Sequence, residues 1–273
     1  MTNLPRPFRL LLAGAALLTT ACGSDSTTGP ANPGTTSFDV AAALGEISRG
    51  TPTAARVEMG ASAVFTGSAV IPSACTYVAA SQSFTCPTQT VSGVTITLSY
   101  TLLDAAGHPQ SSPNIATTAA VRTLSTVKGT LTLQPGNAGA ITGTLTLDRT
   151  EDMTLSGLLT GVHTLNGTAS GTSVSVTTLN GQSINFTSVD KSTTTNVVLP
   201  KSGSASLWPL SGTITSDQAL TSTSGTLAGL KSTIHTVITF NGSANMVVTV
   251  TIDGVSATCT INMQNPVTTS CSA

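Results

Sequence analysis

The feature that most constrains this chain is its strict period-two alternation, which runs from about Val57 almost to the end. In "AITGTLTLDR" (140–149), Ile141, Gly143, Leu145 and Leu147 fall on one side, and Thr142, Thr144, Thr146 and Asp148 on the other. "KGTLTLQ" (Lys128–Gln134) and "SGTITSD" (Ser211–Asp217) repeat the pattern, and "GVTITLSYTLLD" (Gly93–Asp104) and "ANMVVTVTIDG" (Ala244–Gly254) extend it. Only a strand with one aliphatic and one polar face has that period. Asn166-Gly167, Asn180-Gly181, Asn241-Gly242 and Asp253-Gly254 are read as the turns between such strands. The expected fold is therefore all-β: an antiparallel meander forming one extended curved sheet or an open barrel.

Composition agrees. Charged residues make up 8% of the chain, against about 25% in an average soluble domain. Ser and Thr together are roughly a third of the residues, which suits exposed strands better than helices. The net charge is −1, and no basic patch is present, which argues against a nucleic-acid partner.

The N-terminus sets the compartment. Arg6 and Arg9 precede an apolar run, Leu10–Leu18, and small residues lead to Cys22. That is the plan of a secretion signal, and the run is short of the ~20 residues a spanning helix needs. "LTTAC" (Leu18–Cys22) resembles the lipobox of bacterial lipoproteins, with Ala21 in the position before the cysteine and Thr19 where Leu is commonest. The resemblance implies cleavage after residue 21 and acylation (palmitate included) of Cys22 as the first mature residue. Gly23 stands where Asp would signal inner-membrane retention, so the resemblance implies an outer-membrane anchor, on either side. Loss of Arg6 and Arg9 takes the mature net charge from −1 to −3. Residues 22–36 read as the acylated cysteine and a flexible Pro/Gly-rich tether, and 37–273 as a single β-rich domain.

Four cysteines remain: Cys75, Cys86, Cys259 and Cys271. An even number in an exported chain suggests disulfides. A hairpin turning at Ala80-Ser81 sets Cys75 opposite Cys86 and Tyr77 opposite Phe84. A second hairpin, around Gln264-Asn265-Pro266, sets Cys259 opposite Cys271 and Ile261 opposite Thr269. The expected bonds are Cys75–Cys86 and Cys259–Cys271. No Cys-x-x-Cys or His cluster suggests a metal.

One helix is expected, short and N-terminal. Ser37 caps it, Val40, Leu44 and Ile47 share a face, and Gly50 and Pro52 end it. A weak repeat joins about 157–182 to 229–255: both carry Gly-Leu, His-Thr and Asn-Gly-Thr/Ser-Ala before a β run. The repeat makes His163 and His235 equivalent strand positions. His108, in "GHPQ", sits in a turn, and "DRTED" (Asp148–Asp152) is read as a solvated acidic turn.

Chemistry is harder to find. "STVK" (Ser125–Lys128) resembles the Ser-x-x-Lys of penicillin-binding proteins and serine β-lactamases, followed in that order by "SIN" (Ser183–Asn185) and "KSG" (Lys201–Gly203). That family's nucleophile opens a buried helix, whereas Ser125 lies in an alternating run. No Gly-x-Ser-x-Gly elbow occurs. No enzyme, cofactor or catalytic residue is therefore expected. Recurrent Thr-x-Thr pairs (95/97, 130/132, 142/144, 213/215, 249/251) make a hydroxyl ladder of a kind that can bind carbohydrate or ice. Ice would require many equal coils, which this chain lacks. The expectation is a lipid-anchored, non-catalytic structural or binding module, with a protein, glycan or lipid ligand left open. The alternative is a carrier of lipid or another apolar ligand, in a cavity lined by residues such as Leu145, Leu147 and Val176.

Overall fold

The alternating runs fold as strands. The structure, a computed structural model, describes residues 74–91, 93–133, 142–179, 182–200, 208–224, 228–262 and 269–272. The signal, Cys22, the tether and the expected helix at 37–50 lie outside them. The strands are β1 (Thr76–Val78), β2 (Ser83–Thr85), β3 (Gln89–Val91), β4 (Val94–Leu103), β5 (Pro109–Gln110), β6 (Ala120–Leu133) and β7 (Thr142–Ser156). They continue as β8 (His163–Leu179), β9 (Gln182–Leu199), β10 (Ser211–Ser222), β11 (Lys231–Thr239), β12 (Asn245–Ile252), β13 (Val255–Asn262) and β14 (Thr269–Ser272).

All pair antiparallel in one open, unclosed sheet, in the order β1-β2-β4-β6 and then sequentially to β14, with β3 and β5 also on β4. This is the meander expected from the alternation. The 18 residues of β9 extend about 60 Å at ~3.3 Å per residue.

Register assigns the two faces. Leu102, Val121, Leu155, Leu165 and Val197 are successive partners across β4 to β9, and all are buried. We call theirs the inner face. One inner cluster runs from Phe84 and Tyr100 through Ile214 and Ile238 to Met246, Val248, Cys259 and Ile261. A smaller one, Val94, Val127, Leu131 and Leu145, sits at the other end of β4, β6 and β7. A polar band separates them, because inner positions there are held by Ser125, Arg149, Glu151, Asp190 and Gln218.

A bulge keeps the long strands in phase. Thr194 of β9 pairs with Gly167, but Val197 pairs with Leu165, so β9 carries one extra residue. Asn196 is left in the left-handed region at φ 49°. The insertion turns Val197 and Leu199 inward, where both are buried. The amide of Asn196 then lacks a ladder partner, and Asn166 Oδ1 accepts from it at 2.7 Å. On the other side Gly212 (φ +105°) packs so close that a Cβ would lie 2.3 Å from the Asn196 carbonyl oxygen.

This corrects two expectations. Asn166-Gly167 is not a turn: it lies inside β8, with Asn166 serving the bulge and Gly167 admitting Met153, whose Sδ would lie 2.5 Å from an added Cβ. The two segments of the weak repeat therefore do not superpose as one structural unit. The first is one continuous strand up to Leu179, whereas the second is the β11–β12 hairpin, turning after Phe240. His163 is an inner-face residue opposite Leu199, and His235 an outer-face residue opposite Asp217 and Thr251. Asp253-Gly254 is a turn as expected: Ile252 and Val255 are partners, and φ values of 50° and 88° give the two-residue type I′ geometry.

Candidate functional site

Both edges of the sheet carry cysteines on the inner face. In the β1–β2 hairpin, Tyr77 is opposite Phe84, their rings meet edge to face at 5.2 Å, and Cys75 is bonded to Cys86. At the far edge Cys259 is disulfide-bonded, and its register partner on β14 is Cys271. These residues fix the ends of the sheet and touch neither polar site described below.

The first polar site is the inner band. "DRTED" lies within β7, so alternation divides its charges between the faces. It is therefore not a solvated turn. Arg149 and Glu151 point inward, and Arg149 Nε donates to Glu151 Oε1 at 2.9 Å. The Arg149 guanidinium also reaches Asp190, across β8. It can do so because the residue between them in register is Gly171, where an added Cβ would lie 3.1 Å from the Cβ of Arg149. Gln218 Nε2 donates to Ser188 Oγ at 2.9 Å. The three charged side chains are about a quarter exposed, so the band is an internal network of satisfied groups.

The second site is on the outer face. The Thr-x-Thr pairs of β4, β6, β10 and β12, with Thr144 of β7, all project there. Cross-strand hydroxyl contacts join Thr97 to Thr126 at 2.5 Å, Thr130 to Thr146 at 2.9 Å and Thr251 to Ser256 at 2.7 Å. Polar pairs also lie on this face: Lys128 with Asp148 at 3.2 Å, and His235 Nδ1 with Asp217 Oδ1 at 2.6 Å. Arg122 grips Asp152 through Nε at 2.7 Å and Nη2 at 2.5 Å. That grip holds the Asp152 carboxyl below the usual carboxylate range and raises the guanidinium.

A groove of about 450 Å³ opens on this face along β4. Its floor is Thr97, Ser99 and Thr101; Ser81, Ser83 and Thr85 of the clasped hairpin form one wall, and Arg122, Leu124 and Thr126 of β6 the other. Short side chains on the middle strand and taller ones on β6 make the depression. Of the groove's lining, sequence reading singled out Thr97, through the Thr95/Thr97 pair, and missed Arg122 and Leu124. Their only signal was parity with Lys128 in "VRTLSTVK".

The remaining expected residues are placed as follows. Cys22 lies outside the described residues, as does the "KSG" segment. Ser125 is on the inner face and Lys128 on the outer, because an offset of three in a strand reverses the side. "STVK" therefore assembles no Ser–Lys pair. Leu145 and Leu147 are inner, but Val176 is outer, opposite Thr144, and exposed. These three cannot line one cavity. His108 Nδ1 lies 3.3 Å from Asp104 in the β4–β5 turn, and the buried Nδ1 of His163 has no hydrogen-bond partner among the described residues. No cluster of three metal-ligating side chains occurs among the described residues. No family model, curated protein or solved structure matches the chain.

A Ser or Thr hydroxyl both donates and accepts. A groove walled by them, with its arginine already paired, can hydrogen-bond a neutral polar ligand.

Proposed function

We propose that this chain is a lipid-anchored protein of the bacterial outer membrane, attached through acylated Cys22. Its non-catalytic β-domain acts as a structural or binding module through the hydroxyl face of the sheet. The observation that carries the binding reading is the groove along β4, where seven of the ten lining residues bear hydroxyls. What favours the module over the carrier is that Leu145 and Leu147 face inward and Val176 outward, so the three share no cavity.

The anchor is tested by Cys22→Ala. Radiolabelled palmitate should no longer be incorporated, and in detergent phase partition the protein should move from the detergent phase to the aqueous phase. Unchanged partition into the detergent phase would show that the anchor reading is wrong. The soluble variant should still co-sediment with isolated envelopes through its β-domain. Failure to do so would remove the binding half of the proposal.

A further inference from the structure

The groove along β4 has a chemistry specific enough to name its ligand class. Hydroxyls line its floor and the hairpin wall, from Ser83 and Thr85 to Thr97 and Thr101. Leu124 stands among them 42% exposed, and with Leu98 it gives the groove apolar surface beside the hydroxyls. The single charged lining residue, Arg122, is neutralised by its two bonds to Asp152, which leave the Nη1 N–H groups outside that pair. The floor from Thr97 to Thr101 runs along the strand for about 13 Å. The groove is therefore elongated, rich in two-way hydrogen-bonding groups, apolar in part through Leu98 and Leu124, and without net charge.

We propose that this groove binds a neutral oligosaccharide segment. Sugar hydroxyls need partners that both donate and accept, which Ser and Thr supply, and the C–H face of a pyranose ring packs on an apolar surface such as Leu124. The paired Arg122 disfavours an acidic glycan, because Asp152 already occupies the positive charge. The wall formed by Ser81, Ser83 and Thr85 belongs to the hairpin closed by Cys75–Cys86, so the clasp holds one side of the groove in place before a ligand arrives. This inference rests on the reading of the hydroxyl face as a binding surface.

The test is titration calorimetry of the purified protein with cellohexaose, maltohexaose, laminarihexaose and xylohexaose, each at low and high salt. Saturable binding to at least one is expected, with an affinity insensitive to salt because the ligand is uncharged. Leu124→Asp, and separately the isosteric pair Thr97→Val with Thr126→Val, should each weaken binding roughly tenfold or more. Val189→Asp, on the same face but outside the groove, should leave affinity unchanged. Circular dichroism melts identify any variant that fails to fold, and the threonine pair carries the test if Leu124→Asp does. The proposal is overturned if none of the four oligosaccharides binds, if affinity survives in the folded groove variants, or if it falls steeply with salt. Loss of the oligosaccharide result with envelope co-sedimentation intact would refute the glycan alone and leave the binding module standing.

Discussion

Single residues decide where this sheet bends and where its charges rest. Gly212 sits at φ +105° with backbone pressed against the Asn196 carbonyl, so Gly212→Ala adds a steric clash to a left-handed strain of about 1–3 kcal/mol. Gly107→Ala, at φ +83° with open space around the new Cβ, carries only the conformational cost of about 1–2 kcal/mol. Urea melts of the two variants should place Gly212→Ala below Gly107→Ala; equal midpoints would mean that the bulge relaxes freely. Asp152 gives a pH signature. Its folded pKa is depressed by the Arg122 hydrogen bonds, partly opposed by desolvation. A depressed carboxylate contributes stability that is complete above its unfolded value of about 3.9 and disappears as pH falls through the folded value. Lowering the pH from 5 through that window should therefore reduce the melting temperature. Asp152→Asn should flatten part of that slope, and an identical acid limb in the variant would remove the pair from the account. The effect is small, because both side chains are a third or more exposed.

At the scale of elements, Arg149 ties β7 to β9 over the top of β8. Removing it leaves two partly buried carboxylates, Glu151 and Asp190, without that cation. Arg149→Met should cost about 2 kcal/mol in chemical denaturation, within the range for charged hydrogen bonds, whereas Arg122→Met on the outer face should cost under ~1 kcal/mol. The reverse order would place the stabilising charges on the exposed face. The inner network also shows why some elements were legible in the sequence and others not. β4, β6 and β12 read directly from alternation, since their inner positions are mostly apolar. The middle of β7 did not, because Arg149 and Glu151 break the apolar register and their partner Asp190 is 41 residues away. Asn166-Gly167 misled for a related reason. The dipeptide that makes a hairpin turn also suits a strand that must cap a neighbour's bulge and admit Met153, and only the fold tells the two apart. The groove was barely legible: of its floor only Thr97 belongs to a threonine pair, and its walls come from other strands, β2 and β6.

The whole molecule is an open sheet, and an open sheet has two exposed edges that can template pairing with other chains. Here each edge ends in a short hairpin, β1–β2 at one side and β13–β14 at the other. Pairing between β2 and β4 covers only Phe84–Tyr100 and Thr85–Ser99, and β13 with β14 only four positions. Cross-strand pairs contribute about 0.2–1 kcal/mol each, so such hairpins would fray if their strand pairing alone held them. The Cys75–Cys86 bond and the bonded Cys259 sit at these places. The Cys75–Cys86 bond closes a short loop and contributes under ~3 kcal/mol, comparable to the hairpin it holds, and a Cys259–Cys271 bond would do the same at the other edge. Non-reducing peptide mapping should recover Cys75–Cys86 and Cys259–Cys271. On reduction, hydrogen exchange should accelerate in β1, β2 and β14 and stay unchanged across β7 and β8, whose long pairing needs no clasp. The freed edges should then make the protein associate in a concentration-dependent way, visible by light scattering. A reduced protein that remains monomeric with protected edge amides would show that pairing and packing alone hold the hairpins. The cystines would then act on the rate of folding or on resistance to proteolysis, and the β1–β2 wall of the groove would stand without its clasp.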